Sequence, residues 1–88
     1  MEGFKMGKYY VYGAWNPKQE PKNAANALYI GKGTGDRLHA DHPNVPDYGK
    51  LFHSMFGGLT SLSETEALSK EEEMIGKYKP LHNTNLKE

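Results

Sequence analysis

The stretch SKEEEMIGKY sets three glutamates side by side, Glu71, Glu72 and Glu73, and helical spacing separates them. Glu71 stands four residues after Ala67, three after Leu68, three before Met74 and four before Ile75, so on a helix it falls within the apolar stripe. Glu72 and Glu73 turn away by about 100 and 200 degrees, toward solvent or its border. A carboxylate on an apolar face needs an arginine, a lysine, a hydrogen-bond network or a metal ion, because an unpaired buried charge is very costly. Two other groupings have the composition of a site. His39, Asp41 and His42 place metal-ligating side chains close together in a chain without cysteine. GKGTG at 31–35 could bring backbone amides close to a phosphate. It matches neither G-x-x-x-x-G-K-[ST] nor G-x-G-x-x-G, which argues against a nucleotide-binding fold.

The elements that must position these residues follow from pattern. KYYVYGAW (8–15), rich in aromatic and β-branched residues, reads as a strand, and ALYIG (27–31) as a second strand antiparallel to it. NPKQEPKNAAN (16–26) between them is a polar connection. One or two helical turns are expected from Asp36 to Asp41, stopped by Pro43 and Pro46. DYGKLFHSMF (47–56) has apolar residues at helical spacing and predicts a helix ended by Gly57-Gly58, with LTSL (59–62) as a third strand. Ser63-Glu64-Thr65-Glu66 fits a capping box, so a helix is predicted from there to about Tyr78, where Pro80 stops it.

In this order the residues resemble the GIY-YIG nucleases. Tyr10-Val11-Tyr12 stands where the family's first tripeptide would be, and Tyr29-Ile30-Gly31 reproduces the second. Arg37 follows the glycine turn, and TEALSKEEEMIGKYKPLHN keeps the succession Glu-Ala, catalytic glutamate, apolar pair, Pro-x-x-Asn. In that alignment, which covers roughly residues 8–86, the glutamate is Glu71 and the asparagine Asn83. The expected fold is α+β, a small, mainly antiparallel three-stranded sheet flanked by helices, as one domain over residues 1–88. The resemblance implies a DNA endonuclease that hydrolyses phosphodiester bonds with one divalent cation, Mg²⁺ or Mn²⁺. It implies Glu71 as the metal ligand, Arg37 as the phosphate-stabilising fork, Tyr12 as general base, Tyr29 orienting water or phosphate, Lys32 touching a phosphate oxygen, and Asn83 bracing the site. Each has a bland rival: the tyrosines as core aromatics, Arg37 and Glu71 as a mutual ion pair, Asn83 as a turn cap.

One departure stands out. The family usually has a tyrosine or histidine one helical turn after the arginine, where this chain has Asp41, flanked by His39 and His42. Asp41 at i+4 could pair with Arg37, and His42 could supply the missing ring if the helix end is irregular. The departure also admits a catalytically reduced module that binds DNA or protein.

At 88 residues the chain has room for one core. Its zero net charge speaks against non-specific nucleic-acid binding by the whole surface. Residues 1–37 nevertheless carry six bases against three acids and residues 38–88 five against eight, so a DNA partner is expected on the N-terminal half. Lys18 and Lys22 in the polar connection are candidates for its backbone. With no room for a recognition domain, target choice would come from DNA structure, a homodimer or a targeting protein. No apolar run approaches the roughly 18 residues of a membrane span, and MEGFKMGKYY lacks a signal-peptide core. The expectation is a soluble cytoplasmic protein.

Overall fold

All six residues of the strand β1, Tyr10–Trp15, are buried. A strand covered on both faces must also pair along both edges, because each of its N–H and C=O groups needs a partner. The computed structural model, which describes residues 7–40 and 42–84, places β1 in the centre of a sheet ordered β2-β1-β3. Both β2 (Tyr29–Gly33) and β3 (Phe52–Met55) run antiparallel to it, with Tyr12 opposite Gly31 on one side and Met55 on the other. Helix α1 (Glu64–Tyr78) and the single turn α2 (Leu81–Thr84) complete an α+β fold.

Alternation along β1 sorts its aromatic residues between two cores. Val11 and Trp15 face α1 and pack with Ile30, Ala27 and Ala67. Tyr10, Tyr12 and Ala14 face the other way, under Leu38, Val45 and Tyr48 from the segment that follows β2. Helix α1 starts at the expected capping box: Ser63 Oγ accepts from the Glu66 amide and the Glu66 carboxylate accepts from the Ser63 amide. It ends with Lys79 in the left-handed conformation ahead of Pro80. Within α1, Ala67 is buried and Met74 and Ile75 are half-buried, while Leu68 is 40% exposed. The apolar stripe is thus narrower than its sequence suggests.

The predicted helix over 47–56 does not form. A 3-10 turn, Tyr48–Lys50, gives way to β3. Gly49 and a run of Phe, His and Ser make poor helix, and the open edge of β1 takes the segment as a partner instead. LTSL is not a strand. Val11 N–H donates to Leu59 O and Tyr9 exchanges hydrogen bonds with Leu62, but Ser61 at φ 57° breaks the extended run between them. The helical turns expected from Asp36 shrink to one 3-10 turn, Arg37–His39. Of GKGTG, the first three residues belong to β2.

Strand β2 is an edge, and side chains close it. Asn83 Oδ1 accepts from Ile30 N–H at 2.7 Å and Asn83 Nδ2 donates to Ile30 O at 2.9 Å. One residue earlier, the His82 amide donates to Leu28 O at 2.9 Å. The carboxamide does what one residue of a fourth strand would do, satisfying groups that would otherwise be buried without partners. Asn83 therefore braces the strand that carries Tyr29.

Gly31 is required by its place opposite Tyr12. A Cβ there would stand 2.8 Å from the Tyr12 hydroxyl oxygen and 2.9 Å from Tyr29 Cε2, and Tyr12 is fully buried. Gly31→Ala is expected to cost about 1–3 kcal/mol of stability, read as a lower midpoint in chemical denaturation. An unchanged midpoint would mean that the two rings do not close over this glycine.

Candidate functional site

The Tyr10 face of the sheet is where the candidate residues meet. Tyr10 anchors the segment that crosses it: its hydroxyl donates to Gly35 O at 2.6 Å and accepts from the Leu38 amide at 3.1 Å. Gly33 leaves room for the stem of Arg37, whose Cγ would lie 2.3 Å from any Cβ at that position. The 3-10 turn ends at His39, Ala40 is extended, and His42 turns inward to only 5% exposure. The irregular end of this turn is what lets a residue five positions beyond Arg37 reach the sheet.

His42 Nε2 lies 2.6 Å from the Tyr12 hydroxyl, while Nδ1 lies 2.5 Å from Ala40 O. A carbonyl can only accept, so Nδ1 carries a proton, and in the neutral ring the Nε2 lone pair receives the Tyr12 O–H. The imidazole is held between rings, stacked on Tyr48 at 3.9 Å and edge-on to Tyr29 at 5.4 Å. Tyr29, Arg37 and His42 line one pocket with Pro43, Asn44 and Val45.

Burial pushes the Tyr12 hydroxyl far above the ordinary tyrosine value; neighbouring Tyr29 and Tyr48 add to the shift and the Arg37 charge opposes it. Tyr48 and Tyr29 are raised too, again chiefly by burial and again opposed by Arg37. A standing phenolate at Tyr12 is therefore inaccessible at neutral pH. Tyr12 shares side-chain hydrogen bonds with His42 and with Tyr29, so a proton it takes up can be matched by passing its own to His42.

Glu71 approaches from the other side of β2. It is half-buried, while Glu72 and Glu73 are exposed and Glu73 lies 3.9 Å from Lys70. Burial pushes the Glu71 carboxyl up; the Lys32 charge and backbone amide pull it down, and Glu72 works with burial. Its charge also reaches Tyr29, so it stands at the β2 edge between Lys32 and the tyrosine pocket. The Lys32 ammonium lies 3.9 Å from Glu64 and 5.5 Å over the Tyr9 ring. Among the described residues no three of His, Asp and Glu converge on a common point. One carboxylate suits a hydrated Mg²⁺ or Mn²⁺, which keeps several waters, and does not suit a closed protein cage.

Other candidates lie elsewhere. His39 is exposed and bonded to His53. Lys18 is exposed, its amide turned onto Asn16. Lys22 is held by Glu20 at 2.7 Å and lies 5.2 Å over the Phe52 ring. None of the three lines the pocket, and Asp41, expected to pair with Arg37, lies outside the described residues. Tyr10 and Tyr48 are the supports that sequence reasoning missed. Tyr10 was legible in principle as the alternate-position mate of Tyr12, whereas Tyr48 was hidden by the helix read over 47–56. No protein-family model, curated protein or solved structure matches the chain.

Because burial raises the Glu71 carboxyl, the folded chain holds that proton more tightly than the unfolded chain does. Ionisation therefore costs stability once the pH exceeds the ordinary carboxylate value of 4.5. Glu71→Gln, which can still accept from the Lys32 amide, should melt higher than wild type at pH 7, with the gap closing on acidification through that value. Thermal denaturation at both pH values checks this; equal melting at neutral pH would contradict the burial of the charge.

Proposed function

We propose that this chain is a metal-dependent DNA endonuclease of the GIY-YIG kind. The observation that carries the reading is the meeting of Tyr12, Tyr29, Arg37 and His42 on one sheet face, with the Tyr12 hydroxyl bonded to His42 and Glu71 at the adjoining strand edge. In this reading Arg37 presents its planar fork to the scissile phosphate and stabilises the charge that develops there. Tyr29 bounds the pocket and orients phosphate or water. In this reading the seated substrate admits a water to the buried Tyr12 hydroxyl, and the water proton passes to the Tyr12 oxygen as the Tyr12 proton passes to His42 Nε2. The water oxygen bonds to phosphorus, the bond to the leaving deoxyribose oxygen breaks, and that oxygen takes a proton from solvent. Nδ1–H, held on Ala40 O, leaves the product imidazolium oriented and partnered. A hydrated Mg²⁺ or Mn²⁺ at Glu71, when bound, would neutralise charge on the phosphate and the leaving oxygen.

The role of ring residue after the arginine falls in this reading to His42. Site selection rests with DNA structure, a second copy of the chain or a targeting protein, and the setting is intracellular. No helix among the described residues is long and apolar enough to cross a membrane.

Nicking of supercoiled plasmid with Mg²⁺ or Mn²⁺ tests the proposal. Removing the proton acceptor in His42→Ala is expected to slow cleavage by about 10²–10⁴-fold, and Glu71→Gln to abolish it. Glu72→Gln and Glu73→Gln should cleave like wild type. Wild-type protein that binds DNA and never nicks it with either metal would replace this reading with that of a non-catalytic binding module.

A further inference from the structure

The pocket beside the tyrosines holds two polar side chains that the protein itself leaves unengaged. Of the residues lining it, His42 spends both ring nitrogens, on Tyr12 and on Ala40 O, and Tyr29 shares its hydroxyl with Tyr12. Pro43 and Val45 bring no polar side-chain atom. That leaves Arg37 and Asn44. Among the described residues nothing hydrogen-bonds to the Arg37 guanidinium or to the Asn44 carboxamide, and no carboxylate lines the pocket. Asn44 is held in place by its neighbours. His42 and Val45 are buried, and the Val45 amide donates to His42 O at 2.9 Å, closing a turn whose exposed crest is Pro43 and Asn44. The Tyr48 amide donates in turn to Val45 O at 3.2 Å, and the Pro43 ring stiffens the backbone ahead of Asn44. Turn asparagines often fold their carboxamide back onto their own backbone. The Asn44 carboxamide makes no such bond and lines the pocket instead.

We infer that Asn44 is a further substrate-binding residue, its Nδ2–H group donating to an oxygen of the phosphate that Arg37 holds. The inference rests on the reading of this pocket as a phosphodiester site. A guanidinium has donors only and a fixed charge, so a pocket lined by Arg37 and no acid takes an anion. One planar fork engages two oxygens of a phosphate, and the carboxamide supplies a neutral donor for another. Such a contact sets the register of the nucleic-acid backbone and carries no base sequence. Hydrolysis is not needed for it: a chain that only binds DNA would use Asn44 in the same way.

Titration of the full chain with inorganic phosphate and with thymidine 5′-monophosphate, without metal and followed by ¹H–¹⁵N NMR of the side chains, tests the contact. Both ligands should shift the Asn44 Nδ2 and Arg37 Nε resonances together. Asn44→Ala should weaken both about three- to tenfold, and Asn44→Asp should weaken them more, because it sets a carboxylate against the phosphate. Asn44 is exposed, so both variants should melt as wild type does. Wild-type affinity in Asn44→Ala, or an Asn44 resonance that stays still while Arg37 responds, would overturn the inference and leave the endonuclease reading standing. A response of Asn44 to the nucleotide and not to phosphate would overturn it too, placing the residue at sugar or base. Both resonances moving in a protein that never nicks DNA would uphold the contact while the endonuclease reading gives way to a binding module.

Discussion

The hydroxyl of Tyr12 is the constraint around which the sheet is arranged. Its strand is central and its side chain is wholly buried, so the oxygen has no water to fall back on and must find a partner inside the protein. Gly31, directly opposite, cannot block it. Tyr29 on β2 itself is one partner, and a second arrives because the segment after β2 folds back across this face and inserts His42. That one bond ties the middle of the sheet to the loop that carries Arg37. It also sets an imidazole within hydrogen-bond reach of a phenol that burial makes a poor acid.

Strand β2 shows how the two halves of the site are joined. Its inner face carries Tyr29 toward His42, and its free edge is closed by Asn83, with Glu71 nearby at Lys32. An unsatisfied edge would invite another chain. Covering it with α2 also ties the segment that follows the glutamate-bearing helix to the strand that carries Tyr29. Edge protection and site geometry are thus served by the same hydrogen bonds.

Much of this was legible in sequence where one local force dominates. The capping box at Ser63 and the stop at Pro80 set α1 to Glu64–Tyr78, and the 3.6-residue period turned Glu71 inward and its two neighbours outward. Pairing of Tyr12 with Tyr-Ile-Gly followed from two short apolar runs. The segment 47–56 was misread because Tyr48, Leu51, Phe52 and Met55 fit a helical period, while the need of β1 for a second partner is a tertiary demand that spacing does not display. His42 was offered only on condition of an irregular turn, since its reach depends on Ala40 being extended. Tyr48 and the His39–His53 pair depend on β3 and so were invisible while that strand was read as helix.

The most direct measurement is the protonation of His42 itself, by ¹⁵N-resolved NMR of the imidazole in wild type and in Tyr12→Phe. The account requires the neutral tautomer with hydrogen on Nδ1, and an Nε2 resonance that shifts when the Tyr12 hydroxyl is removed. A ring carrying its proton on Nε2, or one whose Nε2 is indifferent to Tyr12→Phe, would contradict it.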